Sequence, residues 1–386
     1  MITKAEVRDK ALSLGFDDVG FASAEPFDGQ REVLQKRERE YGWVRELGLD
    51  LVQGTDPASV LPGTKSIVVL LWNYYRQGFP RWMEGHFGRC YLDDDRVTKD
   101  GMSRLIKAFR EFLTQGGART KVPFNLPHRA AATRAGVGSP GRNCLLYANR
   151  VARGSSFVLP VAVLVDQEFE PDPPTQEYGC PKWCGKACLA ACPTKALKGD
   201  GSLDPRKCIS FLTYLGQDMT PLHLRELMGI SIFGCDRCQE VCPRNTAWMA
   251  RDLPLNERVA AKEKDFQLPQ LLSMDSEYFE QRIWPYMFYI PSEQIWKWKM
   301  NVARAMGNTG DREYVPDLVR AFEEHEDWRV KGMCAWALGR LGGEDAVAAL
   351  KRFASVSTGT VREEVDYALG MDQDSSGTAE RMTADA

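Results

Sequence analysis

Cys180, Cys184, Cys188, Cys192, Cys208, Cys235, Cys238 and Cys242 crowd into one stretch of a 386-residue chain, leaving only Cys90, Cys144 and Cys334 elsewhere. A disulfide scaffold does not gather its cysteines in the middle of a large chain, and thiols at short intervals read as metal ligands. Four thiolates suit a zinc ion or an iron–sulfur cubane. Both halves of the cluster of cysteines end in Cys-Pro, at Cys192-Pro193 and Cys242-Pro243, and all eight find a use if there are two [4Fe–4S] clusters. Iron–sulfur is therefore favoured over zinc.

The second half, Cys235-Asp-Arg-Cys238-Gln-Glu-Val-Cys242-Pro243, has gaps of two and three residues before its Cys-Pro. In two-cluster ferredoxins the cysteine before that proline serves the other cluster. The crossing predicts one set from Cys180, Cys184, Cys188 and Cys242, and a second from Cys192, Cys208, Cys235 and Cys238. The first half is looser, with three residues between successive cysteines from Cys180 to Cys192. Such spacing would line one face of a continuous helix, but Pro181 and Gly185 favour a loop. Cys334 reads as core on a helix, and Cys90 and Cys144 as packing.

The elements that position these thiolates follow from the flanking sequence. Lys4–Leu14 has a helical pattern, and Ser103–Gln115 carries an apolar stripe at Leu105, Ile106, Phe109 and Leu113 that Gly116–Gly117 ends. Asp18–Ala22 and Ser66–Trp72 read as buried strands. Phe157–Val165 reads as another, with Pro160 pointing to an edge or a kink. Near the other end, Val302–Gly307 (VARAMG), Cys334–Gly339 (CAWALG) and Val365–Gly370 (VDYALG) keep phase, the period of a HEAT-type helical pair. The fold class expected is an N-terminal α+β or α/β domain (1–170), a ferredoxin-like two-cluster module (171–250), a linker (251–290) and all-α HEAT-like repeats (291–372). A disordered tail (373–386) completes it.

Composition excludes other classes. Apolar residues make up 44% and charged residues 27%, and the formal charge is −3, so no global basic field recruits nucleic acid. No apolar run reaches the ~18–20 residues of a membrane span, and the N-terminus lacks the apolar core of a signal peptide. A cytoplasmic protein with no membrane partner is expected.

Cys208-Ile-Ser-Phe-Leu-Thr and Gly229-Ile-Ser-Ile-Phe-Gly-Cys-Asp-Arg-Cys-Gln-Glu-Val-Cys-Pro-Arg-Asn245 resemble the cobalamin-dependent epoxyqueuosine reductases, which reduce an epoxide on a modified tRNA base to an alkene. Gly15-Phe-Asp-Asp-Val-Gly20 looks like that family's opening strand, and Arg129-Ala-Ala-Ala-Thr-Arg-Ala-Gly-Val-Gly-Ser-Pro-Gly-Arg-Asn143 like its central glycine segment. Reductive dehalogenases share the same core more distantly. The resemblance implies cobalamin as a cofactor beside the two [4Fe–4S] clusters, with Cys90, Tyr91, Arg129, Gly141, Arg142 and Asn143 lining its pocket. It also implies a low-potential electron donor of the ferredoxin or flavodoxin type, and tRNA contacted through the HEAT-like end.

Two departures bear on the chemistry. The family's catalytic aspartate aligns with Val122, and its usual tryptophan and lysine in the glycine segment become Ser139 and Arg142. Valine cannot donate a proton. His128 is the remaining candidate donor in that segment. Gly136-Val-Gly-Ser-Pro-Gly141 superficially matches a dinucleotide fingerprint but follows no clear strand. Asp93–Asp95 reads as a solvated run. Lys297, Lys299, Arg304, Arg329 and Lys331 form a possible basic face for RNA, against the acidic Glu323-Glu-His-Glu-Asp327. Three functions stay open: an iron–sulfur oxidoreductase of the epoxyqueuosine reductase type, a corrinoid-dependent reductase acting on a small molecule or corrinoid protein, and a non-enzymatic electron carrier or redox interaction protein.

Overall fold

The computed structural model describes residues 2–94, 97–99, 101–175 and 179–383. Asp95, part of the acidic run noted above, and residues 384–386 lie outside them. The chain forms two compact units, each built from separated stretches: 1–78, 98–205 and 236–254 in the first, 79–97, 206–235 and 255–386 in the second. These units cut across the consecutive domains expected from the sequence. The cysteine region is divided, because Ile232 and Phe233 join the core of the second unit, next to Cys235.

In the first unit, β1 (Asp18–Ser23) and β2 (Ser66–Asn73) pair antiparallel, as do β2 and the long strand Val158–Val165. The two-residue strand Thr120–Lys121 closes the sheet against Val165 and Leu164. The sheet is thus antiparallel, the α+β form of the expected class. Alternation along the strands splits the core in two. Ile67, Val69, Leu71, Ala162 and Leu164 pack with Ala131, Ala132 and Ala135 around the helix His128–Arg134. Val68, Leu70, Val161, Val163 and Val165 pack on the other face with Val7 and Ala11 of the helix Lys4–Ser13 and with Phe109 and Leu113 of Met102–Gln115. A strand buried on both faces must be apolar throughout, which is why Ser66–Asn73 shows no polar alternation. Pro160 is opposite Leu71, and the strand on its other flank reaches only Leu164, so its missing N–H interrupts no second ladder.

In the second unit, five helices carry the repeats: Ile295–Thr309, Val315–Glu324, Trp328–Leu341, Glu344–Val356 and Gly359–Thr383. The repeated glycines sit where alternate helices touch. A Cβ on Gly307 would meet the Cα of Ala337 at 2.8 Å, and one on Gly339 the carbonyl of Ala368 at 2.7 Å. Gly370, in the last copy, meets nothing, because no further repeat follows among the described residues.

The stretch 251–290 is not a linker. Val259, Phe266, Leu268, Leu271, Leu272, Phe279 and Ile283 are buried in the same core as the repeats. Its short turns, such as Leu268–Ser273 and Glu257–Ala260, have no sustained period. The last helix, Gly359–Thr383, runs into the tail expected to be disordered, with no proline after Ala368 to stop it.

Candidate metal centre

The cysteines expected for the first set all belong to the first unit. Cys180 and Cys184 lie in irregular chain, Cys188 is the second residue of the helix Ala187–Ala191, and Cys242 follows the helix Arg237–Glu240. No continuous helix carries the wide spacing. Lys186 breaks it by adopting left-handed backbone, φ 59°. The Cys188 thiol is pushed up chiefly by burial, opposed by a hydrogen bond from the Leu189 amide, and then by the charges of Cys180, Cys184 and Cys242 around it. Four cysteine side chains are the donor set that a [4Fe–4S] cluster takes. Cys242, from the far half of the motif, is the residue the crossed pattern expects beside them.

A hairpin brings hydrogen-bond donors to these sulfurs. Gly138–Pro140 pairs with Leu146–Ala148, and between them the Arg142 amide donates to Cys180 Sγ at 3.3 Å. The Tyr147 hydroxyl donates to Cys242 Sγ at 3.1 Å. Tyr147 is buried, and burial first, then the Cys242 bond and charge, raise its pKa, so it keeps its proton. Its ring lies against Gly141, where a Cβ would come within 2.3 Å of ring carbon Cε2. The Asn143 side-chain N–H₂ donates to the Tyr147 oxygen at 3.0 Å and to the Cys238 carbonyl at 3.3 Å. Arg244 lies 4.9 Å over the Tyr147 ring and donates to the Gly179 carbonyl, placing a cation beside the thiolates.

Of the second set, Cys192 and Cys238 belong to the first unit and Cys208 and Cys235 to the second. Cys192 Sγ accepts from the Ala196 amide at 3.3 Å. In the second unit Cys208 immediately precedes the helix Ile209–Leu215, and Cys235 packs near Ile209, Leu224 and Met228. The Thr213 hydroxyl accepts from the Gly234 amide at 3.0 Å, joining the two cysteine-bearing segments. The helix Ile295–Thr309 holds both: Asn301 donates to the Thr213 carbonyl at 2.7 Å and Arg304 to the Gly229 carbonyl at 2.7 Å and to that of Ser231.

The other expected site residues fall as follows. Gly141, Arg142 and Asn143 gather at the first cysteine set. Arg129 is exposed and donates to the Cys144 carbonyl. Tyr91 lies in the second unit, its hydroxyl 3.2 Å from that of Tyr214, and Cys90 precedes it. Val122 packs against the sheet face that holds Phe109 and Leu113. His128 is structural: Nε2 lies 2.7 Å from the Pro123 carbonyl and Nδ1 accepts from the Ala162 amide at 2.9 Å. Burial lowers its pKa, and both nitrogens are engaged. Cys334 is wholly buried, which raises its thiol to about 12. Of the possible basic face, Lys297 and Arg304 are buried, at 2% and 0% exposure. Tyr147 and Arg244 were not read from the sequence. Arg244 directly follows Cys242-Pro243, the one local signal, whereas Tyr147 reaches Cys242 across 95 positions.

Fold and thiolates together define an iron–sulfur oxidoreductase with a HEAT-like helical end. A family of 4Fe-4S double cluster binding domains matches residues 180–245, and one of HEAT repeats matches 293–370. Epoxyqueuosine reductase of Bacillus cereus is 29% identical over 368 residues, spanning 90% of this chain and 92% of that protein. That of Cyclobacterium marinum is 30% identical over 251 residues, 62% of this chain and 78% of its own. A crystal structure of epoxyqueuosine reductase with an epoxyqueuosine-modified tRNA-Tyr stem loop superposes with a TM-score of 0.78 at 26% identity, over 96% of this chain and 98% of that one. The Bacillus subtilis enzyme, with its catalytic aspartate loop swung out of the active site, gives 0.77 at 26%, over 95% and 98%. The chain belongs to the epoxyqueuosine reductase family. No helix among the described residues is long and apolar enough to cross a membrane.

Proposed function

We propose that this chain is a two-cluster, cobalamin-dependent reductase whose substrate is not an epoxide opened by the family's aspartate. The reading rests on the residue that the resemblance aligns with that acid, Val122, which packs on the sheet core, and on the nearby His128, whose ring nitrogens both meet backbone groups. No side chain of that segment is free to deliver a proton where the family delivers one. A small molecule or a corrinoid protein fits this chemistry better than epoxyqueuosine-tRNA.

The first cluster takes Cys180, Cys184, Cys188 and Cys242, and the crossed pattern assigns Cys192, Cys208, Cys235 and Cys238 to the second. A low-potential ferredoxin- or flavodoxin-type protein supplies the electrons. Family membership supports cobalamin, which when bound supplies cobalt chemistry that side chains lack. A corrin's amide arms take hydrogen-bond donors. Arg142, whose guanidinium has no partner among the described residues, and Arg129 fit that need; Gly141 and Asn143 are already engaged at the first cysteine set. Tyr147 and the Arg142 amide stabilise the sulfurs of the first cluster as it gains charge.

A second reading, reduction of epoxyqueuosine in tRNA, is favoured by the likeness to the relative solved with a tRNA stem loop. Anaerobic reconstitution with iron, sulfide and cobalamin separates the readings. About eight irons, retained cobalt and no turnover of epoxyqueuosine-tRNA support the proposal. Turnover of that tRNA overturns it, and loss of all cobalamin moves the chain to an electron carrier.

A further inference from the structure

The wide gaps of the first cysteine motif carry a distinct set of side chains. From Gly179 to Gly199 there are four lysines, Lys182, Lys186, Lys195 and Lys198, and no acidic residue, in a chain of net charge −3. Two are engaged: Lys195 donates to the Ala190 carbonyl at 2.9 Å and Lys198 pairs with Glu40 at 3.3 Å. Lys182 and Lys186 are exposed and have no carboxylate partner among the described residues. Between them stands Trp183, 76% exposed, more than any other large apolar side chain described. It is the covalent neighbour of Cys184, a member of the first set.

A single exposed apolar residue needs no explanation. An indole flanked by two unpaired ammonium groups, one residue from a cluster ligand, is a different combination. Tryptophan is over-represented among residues that carry binding energy. Unpaired lysines around it attract an acidic partner and speed encounter. Redox encounters use small, weak interfaces, and a patch of this size suits one.

We propose that Lys182, Trp183 and Lys186 form the docking surface for the electron donor, a small acidic protein carrying a flavin or iron–sulfur group, which reduces the first cluster. One electron leaves the donor, which is oxidised, and the cluster gains it; no bond is made or broken and no proton is required of this chain. The inference rests on the assignment of the first cluster.

The test uses the reconstituted full chain, an acidic flavodoxin as reduced donor, and anaerobic stopped flow between about 0.02 and 0.3 M salt. Expected are a wild-type rate that falls with salt, about a tenfold lower rate in Lys182→Glu/Lys186→Glu with the salt dependence flattened, and a lower rate in Trp183→Ala that Trp183→Tyr partly restores. Iron content and reduction by dithionite stay at wild-type values in all three, because these side chains face solvent. Wild-type rates with flavodoxin in both the double variant and Trp183→Ala overturn the proposal. So does loss of affinity for a tRNA stem loop in the double variant at an unchanged donor rate, which assigns the patch to RNA. A wild-type protein that dithionite cannot reduce overturns the cluster assignment itself, a failure seen before any variant is made.

Discussion

Tyr147→Phe isolates one hydrogen bond at the first cysteine set. The ring stays over Gly141, and Asn143 keeps its bond to the Cys238 carbonyl. What is lost is the O–H donated to Cys242 Sγ at 3.1 Å. A hydrogen bond to a charged acceptor contributes about 1.5–3 kcal/mol. The added electron spreads over a whole cubane, so about a third to a half of that distinguishes reduced from oxidised, or about 0.5–1.5 kcal/mol. For a one-electron couple this is about 20–65 mV. The sign follows from charge: a donor to sulfur favours the more negative, reduced cluster, so its removal lowers the potential. An EPR-monitored redox titration should show one cluster shifted down by that amount and the other unmoved. An unchanged or higher potential in the variant would refute the assignment of Tyr147 as a donor to a cluster ligand.

Crossing predicts that Cys242→Ala and Cys180→Ala abolish the same EPR signal; if Cys242→Ala instead removes the signal lost in Cys235→Ala, the ligand sets are uncrossed. Glu364 clamps the buried Arg225 guanidinium through two bonds of 2.6 and 2.7 Å, so Glu364→Ala should destabilise the second unit by about 3–5 kcal/mol, and an unshifted urea midpoint would show the pair to be well solvated. Burial, and next the Arg329 charge, lower Lys297 from 10.5 to about 8. The folded state therefore releases this proton earlier than the unfolded chain, a penalty present below pH 8 that fades as pH rises to 10.5. Lys297→Met should raise the unfolding midpoint near neutral pH, with the gain over wild type shrinking in alkali; a gain constant with pH would mean that Lys297 does not titrate this way.

How much was legible depended on the range of the interaction. The strands Ser66–Asn73 and Val158–Val165 were read from apolar runs because both faces are buried, a local property of composition. The repeat was read from spaced glycines because each marks the same helix contact. Residues 251–290 were misread as linker because Phe266, Leu271 and Phe279 reach the core from short turns without a period. The thiolates were legible as a set because Cys-Pro and ligand spacing are local. Their donors were not: Tyr147 meets Cys242, and Asn143 meets Cys238, each across 95 positions that no window of sequence joins. The partners of His128 lay out of reach for the same reason, since the Ala162 amide that occupies its Nδ1 comes from a strand 34 residues on.

The fate of the basic residues of the repeats bears on what those repeats do. Arg304 is wholly buried and donates to the Gly229 and Ser231 carbonyls, just ahead of Cys235. Asn308 donates to the Arg225 and Gly229 carbonyls at 2.8 and 3.0 Å, and Asn301 to Thr213, five residues beyond Cys208. A helix whose polar side chains are turned onto the backbone of neighbouring segments cannot also offer them to phosphates. Arg329 stacks 3.4 Å over Trp296 and pairs with Asp327 at 2.6 Å, so its charge is largely neutralised too. The first repeat of this chain therefore acts as a brace for Cys208 and Cys235.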